Sequence, residues 1–248
     1  MHRASKLALS ALSALLAVAT GAQAAACKGT VYLTLDTGSM SQAENIARIL
    51  NRHDVKATFF LANERTMRDD YALDDSWAEY WRARVAEGHA FGSHTFDHGY
   101  FRKALPDGRV LYAVKGKAPV ALDAAGVCAE LNRSRDAFQR MTGRGYDGIW
   151  RAPGGYTVPG VVEYARSCGY RHVHWSPAGF LGDELPSDKY PNDVLLRRAL
   201  ANIRDGDILV MHLGIWSRKD PFAPMLDPLI AGLKQRGLCF ATLAEAKR

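Results

Sequence analysis

The chain has 248 residues, 48% of them apolar and 23% charged, an ordinary balance for a folded globular protein that excludes extended disorder. Its 32 Lys and Arg against 26 Asp and Glu give a net charge of +6. The charge is spread without a run of one sign, which argues against a nucleic-acid surface.

The N-terminus reads as an export leader. Arg3 and Lys6 precede an apolar stretch from Leu7 to Ala19, and Ala22-Gln23-Ala24 supplies the small residues a signal peptidase reads. The stretch falls short of the roughly 20 residues a membrane span takes, so no transmembrane segment is expected in the mature chain. Cleavage after Ala24 would leave residues 25–248 as a single domain, lower the charge to +4, and deliver the protein to the periplasm or the medium. A buried N-terminal helix and a lipid-modified Cys27 are the alternatives.

Val31 to Asp36 (VYLTLD) is the first strand, and Gln42 to Asn51 a helix whose Ile46, Ile49 and Leu50 recur at helical spacing. Ala57 to Leu61 is the second strand. A helical stretch with Trp77, Tyr80, Trp81 and Val85 follows, then a third strand at Ala90 to His94. Lys103 to Ala125 departs from the pattern: Val110 to Val114 and Ala118 to Leu122 fit a small hairpin, where barrel loops shape substrate access. Helix Val127 to Met141 leads to a strand at Gly148 to Arg151, and helix Val161 to Ser167 to one at Arg171 to Trp175. Helix Asn192 to Ile203 leads to Asp207 to His212, and helix Met225 to Arg236 to Leu238 to Thr242. This alternation predicts an α/β fold, a parallel sheet with helices outside it, curled into a barrel of seven strands. An open doubly wound sheet is the alternative.

Export permits disulfides. Cys27, Cys128, Cys168 and Cys239 allow three connectivities, and no pair has zinc-finger spacing. Cys27 precedes the first strand and Cys239 lies in the last, which are neighbours in a closed barrel. The expected pairs are therefore Cys27 with Cys239 and Cys128 with Cys168.

Asp36, His94, Arg151 and His212 fall at C-terminal strand ends, the face where barrel enzymes carry their active sites. Each alone has a structural reading, as a helix cap or a satisfied polar residue; together they predict a site. In Gly92-Ser93-His94-Thr95-Phe96-Asp97-His98, two histidines four apart would share one side of a helical turn and reach one divalent cation, with Asp97 pointing away. Such a pair suits zinc, with cobalt, nickel or manganese as alternatives. Arg151-Ala152-Pro153-Gly154-Gly155-Tyr156 forms a tight turn able to aim backbone N–H groups into a cleft, or a plain strand-to-helix turn. Trp216, with Tyr100 and Tyr112 behind it, is a candidate for stacking on a sugar, whereas Trp77, Trp81 and Trp150 suit packing. Asp69, Asp70, Asp74 and Asp75 suit a solvated loop better than a calcium site.

Taken together, these segments resemble the polysaccharide deacetylases, the NodB-like carbohydrate esterases. Thr34-Leu35-Asp36-Thr37-Gly38 resembles the motif usually written T-F-D-D-G, and His94 to His98 matches H-S/T-x-x-H. Arg151-Ala152-Pro153-Gly154-Gly155 matches R-x-P-x-G, and Ile208 to His212 resembles the closing apolar-x-His motif. The resemblance implies a distorted (β/α)7 barrel and metal-dependent removal of N-acetyl groups. The metal would sit on His94, His98 and position 37, with Asp36 as general base oriented by Arg151 and His212 as general acid. The backbone N–H of Tyr156 would join the oxyanion site, Pro153, Tyr156 and Trp216 would contact substrate, and Asp183 is the candidate carboxylate behind His212.

Thr37 stands where relatives carry a second Asp. It offers a dication a neutral oxygen, a poorer partner than a carboxylate. Either His94, His98 and waters hold the metal, or Asp36 turns to bind it, or metal and catalysis are lost; the first is expected. The expected protein is an exported monomer acting on an N-acetylglucosamine polymer, peptidoglycan or chitin-like. A deformylase of a lipid-linked amino sugar and a catalytically weak glycan-binding protein are the alternatives.

Overall fold

A computed structural model describes residues 27–246; the leader expected at residues 1–24 lies outside them. Seven strands run parallel: β1 (Gly29–Asp36), β2 (Thr58–Leu61), β3 (Ala90–Ser93), β7 (Ile149–Trp150), β8 (Arg171–His172), β9 (Ile208–His212) and β10 (Leu238–Phe240). A separate antiparallel sheet holds β4 (Tyr100–Ala104), β5 (Val110–Ala113) and β6 (Val120–Leu122). Among the described residues, six helices complete the alternation: α1 (Ala43–Arg52), α2 (Ala78–Ala86), α3 (Ala124–Thr142), α4 (Val161–Ser167), α5 (Asn192–Asn202) and α6 (Leu226–Gln235). No helix among the described residues is long and apolar enough to cross a membrane.

The parallel sheet curls rather than lying open. β8 pairs β7, β7 pairs β3, β3 pairs β2, and β2 pairs β1. β1 also pairs β9 along Tyr32 to Asp36, and β10 along Gly29 to Val31. Between β8 and β9 the ladder is replaced by one isolated bridge, Phe180 to Val210, so the barrel is distorted. Strands buried on both faces read as nearly continuous apolar runs, which is why the β2 segment Thr58-Phe59-Phe60-Leu61 is buried throughout.

The helices cover the sheet by amphipathic stripes. Ala43, Ile46, Ala47, Ile49 and Leu50 are the buried face of α1. α3 is capped at both ends: the Asp123 side chain accepts from Gly126 N–H at 2.8 Å, and Gly143 closes the helix in the left-handed region at φ 76°. Trp77, Trp81 and Trp150 are buried, as expected of packing residues. Phe91 packs against Phe59 and Phe138 in the same core.

Both expected disulfides are present, Cys27 with Cys239 and Cys128 with Cys168. The first follows from pairing of β1 with β10, where Thr30 lies opposite Cys239. The expected hairpin is larger than anticipated, because Tyr100–Ala104 adds a third strand to it. The acidic cluster is a self-bonded loop: Asp70 accepts from Thr66, Ser76 and the Trp77 indole, and Asp69 pairs with Arg65.

Candidate active site

Strand register brings the polar strand ends to one level. Asp36 lies opposite His212 across the β1–β9 ladder and opposite Phe60 in β2. Leu61 is opposite Ser93, and Ser93 opposite Trp150, so His94 and Arg151 leave their strands side by side. Asp36, His94 and Arg151 are all buried.

Arg151 Nη1 donates to Asp36 Oδ1 at 2.9 Å and to Thr34 Oγ1 at 2.7 Å. The guanidinium lies 4.3 Å above the Phe60 ring, an apolar wall that holds its plane toward the carboxylate. Burial alone would raise the Asp36 pKa. Arg151 first, then His94 and His212, outweigh it and hold the carboxyl below its ordinary value. Asp36 is thus an anion with one oxygen fixed and the other, Oδ2, 3.6 Å from His94 Nε2.

His94 Nδ1 is 2.9 Å from the Arg151 carbonyl. A carbonyl only accepts, so Nδ1 carries the proton and Nε2 keeps its lone pair. Burial presses the His94 pKa to about 4 against the opposing pull of Asp36, which keeps the ring neutral, the form a metal ligand needs. The His98 ring centroid is 4.9 Å away. The expected helical turn between them does not form: Thr95 and His98 have φ 62° and 49°. A buried Glu130 on α3 imposes that path, accepting from the Phe96 and Asp97 N–H groups and from the Tyr112 hydroxyl. Such non-glycine left-handed residues cost free energy and persist where surrounding contacts enforce them. Tyr112 is therefore buried and structural, not a stacking surface. Asp97 points away, paired with Lys117 and Arg133.

On the other side, Asp183 Oδ2 accepts the His212 backbone N–H at 2.7 Å and lies 3.2 Å from Nδ1. Burial would lower the His212 pKa, but the Asp183 charge and hydrogen bond, with Asp36 and Glu184 behind them, push it up to about 10. Asp36 and His212 are therefore an anion and a cation at adjacent strand ends.

Thr37 spends its hydroxyl on protein groups, donating to Glu64 at 2.6 Å and accepting from Ala62 N–H at 3.3 Å. Among the described residues, no group of three His, Cys, Asp or Glu side chains stands ready, as placed, to hold a metal ion. What is present is an open set of donors: two imidazoles with the buried Asp36 and the half-buried Glu64 beside them, of which only Asp36 is paired to a guanidinium. Nitrogen and carboxylate donors with excess negative charge fit a divalent cation of the zinc type.

Pro153 to Gly155 form a tight turn that follows Arg151 and Ala152, with Gly154 and Gly155 both left-handed. A Cβ on Gly155 would sit 2.5 Å from His174 Nε2 and from the Trp175 ring, so only glycine fits that approach. Tyr156 follows with an exposed side chain, and no contact ties it to Asp36 or the histidines. Trp216 is 63% exposed and lines a groove of about 600 Å³ with Glu64, His98, Tyr100 and Lys115. Glu64 and Glu130 escaped the reading of the sequence. Glu130 had a signal, an acid falling within the apolar stripe of α3 beside Val127, Leu131 and Ser134. Glu64 had one too, its place just past the C-terminal end of β2.

The curled parallel barrel thus gathers at its strand ends a buried carboxylate paired to a guanidinium, a histidine held by a carboxylate, and a pair of imidazoles. The family model described as Polysaccharide deacetylase matches residues 23–173, and the chain belongs to that family. A peptidoglycan-N-acetylglucosamine deacetylase of Bacillus cereus is 23% identical over 231 residues, covering 88% of each chain. The fold is shared with a family 4 acetyl xylan esterase from Clostridium thermocellum solved with a cobalt ion, with TM-score 0.67, 23% identity and coverage of 87% of this chain and 89% of that one. A CE4 family pseudoenzyme from Bacillus anthracis also shares it, with TM-score 0.66, 22% identity and coverage of 88% and 65%.

Proposed function

We propose that this chain is an exported, metal-dependent deacetylase that removes N-acetyl groups from N-acetylglucosamine-containing polysaccharide, of the peptidoglycan or chitin kind. One observation carries the reading: Asp36, held anionic by Arg151, and His212, held cationic by Asp183, stand opposite each other in the β1–β9 register. Hydrolysis of an amide needs both a base for the attacking water and an acid for the departing amine. Relatives acting on peptidoglycan support the substrate class.

In this reading, Asp36 takes the proton of the attacking water through Oδ2 while Arg151 holds Oδ1. His212 gives its Nε2 proton to the amine nitrogen, and Asp183 keeps the ring oriented by its Nδ1 edge. The Tyr156 N–H, set by the Pro153–Gly155 turn, donates to the oxyanion, with Pro153, Tyr156 and Trp216 against the sugar chain. A divalent cation on His94 and His98, zinc or else cobalt, nickel or manganese, would supply Lewis acidity toward the amide carbonyl and the water. The leader at residues 1–24 and a single domain over 25–248 complete the reading.

The test is acetate release from N-acetylglucosamine oligomers by the purified mature protein, before and after chelation and with metal added back. Release that needs metal and vanishes in Asp36→Asn is expected. Thr37 favours a second reading, a glycan-binding protein without turnover; oligomer binding with no acetate release under any of the four metals would establish that instead.

A further inference from the structure

Thr37 withholds the carboxylate that the family motif places after the first Asp, and another acid occupies the ground beside it. Glu64 lies three residues past the end of β2, in the loop that faces Thr37 and His98. Its Oε2 accepts the Thr37 hydroxyl at 2.6 Å and the Gly38 N–H at 2.8 Å. Its Oε1 is 3.9 Å from His98 Nδ1. The side chain is 23% exposed, and no Lys or Arg among the described residues pairs with it.

We propose that Glu64, with His94 and His98, is the third protein ligand of the divalent cation, taking the place of the missing carboxylate at position 37; this rests on the metal-dependent reading above. A half-buried carboxylate facing an imidazole without a cationic partner lacks a counter-charge. A dication supplies it, and one carboxylate with two imidazoles is a ligand set that catalytic zinc sites use. Thr37 then has a definite job. Its hydroxyl and the Gly38 N–H hold Oε2 from behind, as groups around metal ligands do, and leave Oε1 on the histidine side. Asp36 is spared recruitment as a ligand, because Arg151 keeps Oδ1.

The competing explanation is that Glu64 merely braces the turn after β1. Metal affinity separates the two. The metal-free full-length mature protein would be titrated with Zn²⁺ and with Co²⁺ against a chromophoric chelator, with thermal melting of each metal-free variant as the fold control. The wild type is expected to bind one equivalent. Glu64→Gln should weaken binding roughly tenfold or more and alter the visible Co²⁺ spectrum, with metal-free melting little changed. The double variant Glu64→Ala/Thr37→Asp returns a carboxylate from β1 and should recover most of the affinity. If Glu64→Gln binds as tightly as wild type while His98→Ala does not, Glu64 is no ligand and the metal reading survives. If the wild type binds neither ion, both fall. Should Glu64→Gln fail to fold, the double variant decides: recovered binding supports the proposal, and a folded double variant that binds no metal overturns it.

Discussion

Asp183 grips His212 twice, through the backbone N–H at 2.7 Å and through Nδ1 at 3.2 Å. Residues 29 apart in sequence are thereby locked into one orientation, and the imidazole proton not held by Asp183 is on Nε2. A pKa of about 10 keeps His212 charged across the neutral range, so the alkaline loss of activity should set in only as pH rises through that region. Asp183→Asn removes the charge that opposes burial. The alkaline limb of the rate profile should move down by about two units or more, with kcat at pH 8 reduced at least about twofold. An unmoved alkaline limb would show that His212 is not the acid.

Arg151→Met should strand Asp36 as a buried, unpaired carboxylate. Loss of one partner of such a pair costs about 3–5 kcal/mol, and the Asp36 pKa should rise, carrying the acid limb of the activity upward. Adding Asp36→Asn to Arg151→Met should recover much of the stability and none of the activity. Chemical denaturation of the two variants checks this. Equal instability in both would place the Arg151 contribution in packing against Phe60 instead.

Trp216 should act on binding alone. Trp216→Ala is expected to raise KM for N-acetylglucosamine oligomers roughly five- to tenfold, the worth of one stacking contact, with kcat near the wild-type value. A fall in kcat at unchanged KM would remove it from the substrate groove.

Acid should weaken the fold through His89. Its Nδ1 accepts the Ala57 N–H at 2.9 Å and its side chain is fully buried. Burial holds its pKa near 4 although Glu87 opposes this. The unfolded chain gains a proton near pH 6.5 that the folded chain refuses until about 4. This contribution is therefore complete above the higher value and lost as pH falls through the window, by about 3 kcal/mol. His89→Asn keeps an acceptor for Ala57 and should flatten the loss, as read from urea midpoints at pH 7 and pH 5.

The barrel was legible because its strands and helices differ in hydrophobic period and because strand ends of one face carry Asp36, His94, Arg151 and His212. Local pattern also placed α4 at Val161–Ser167, and the neighbouring of first and last strands in a closed barrel paired Cys27 with Cys239, which left Cys128 with Cys168. Other features depended on contacts between distant segments. The His94–His98 segment has helical spacing, yet Glu130 and Tyr112 draw it through two left-handed residues. Thr37 read as a gap in the ligand set because the acid facing it arrives from the loop after β2, 27 residues later. Periodicity reports which face of an element is buried. Which side chains meet across strand ends is decided by register and loop path, and those are set only when the sheet closes.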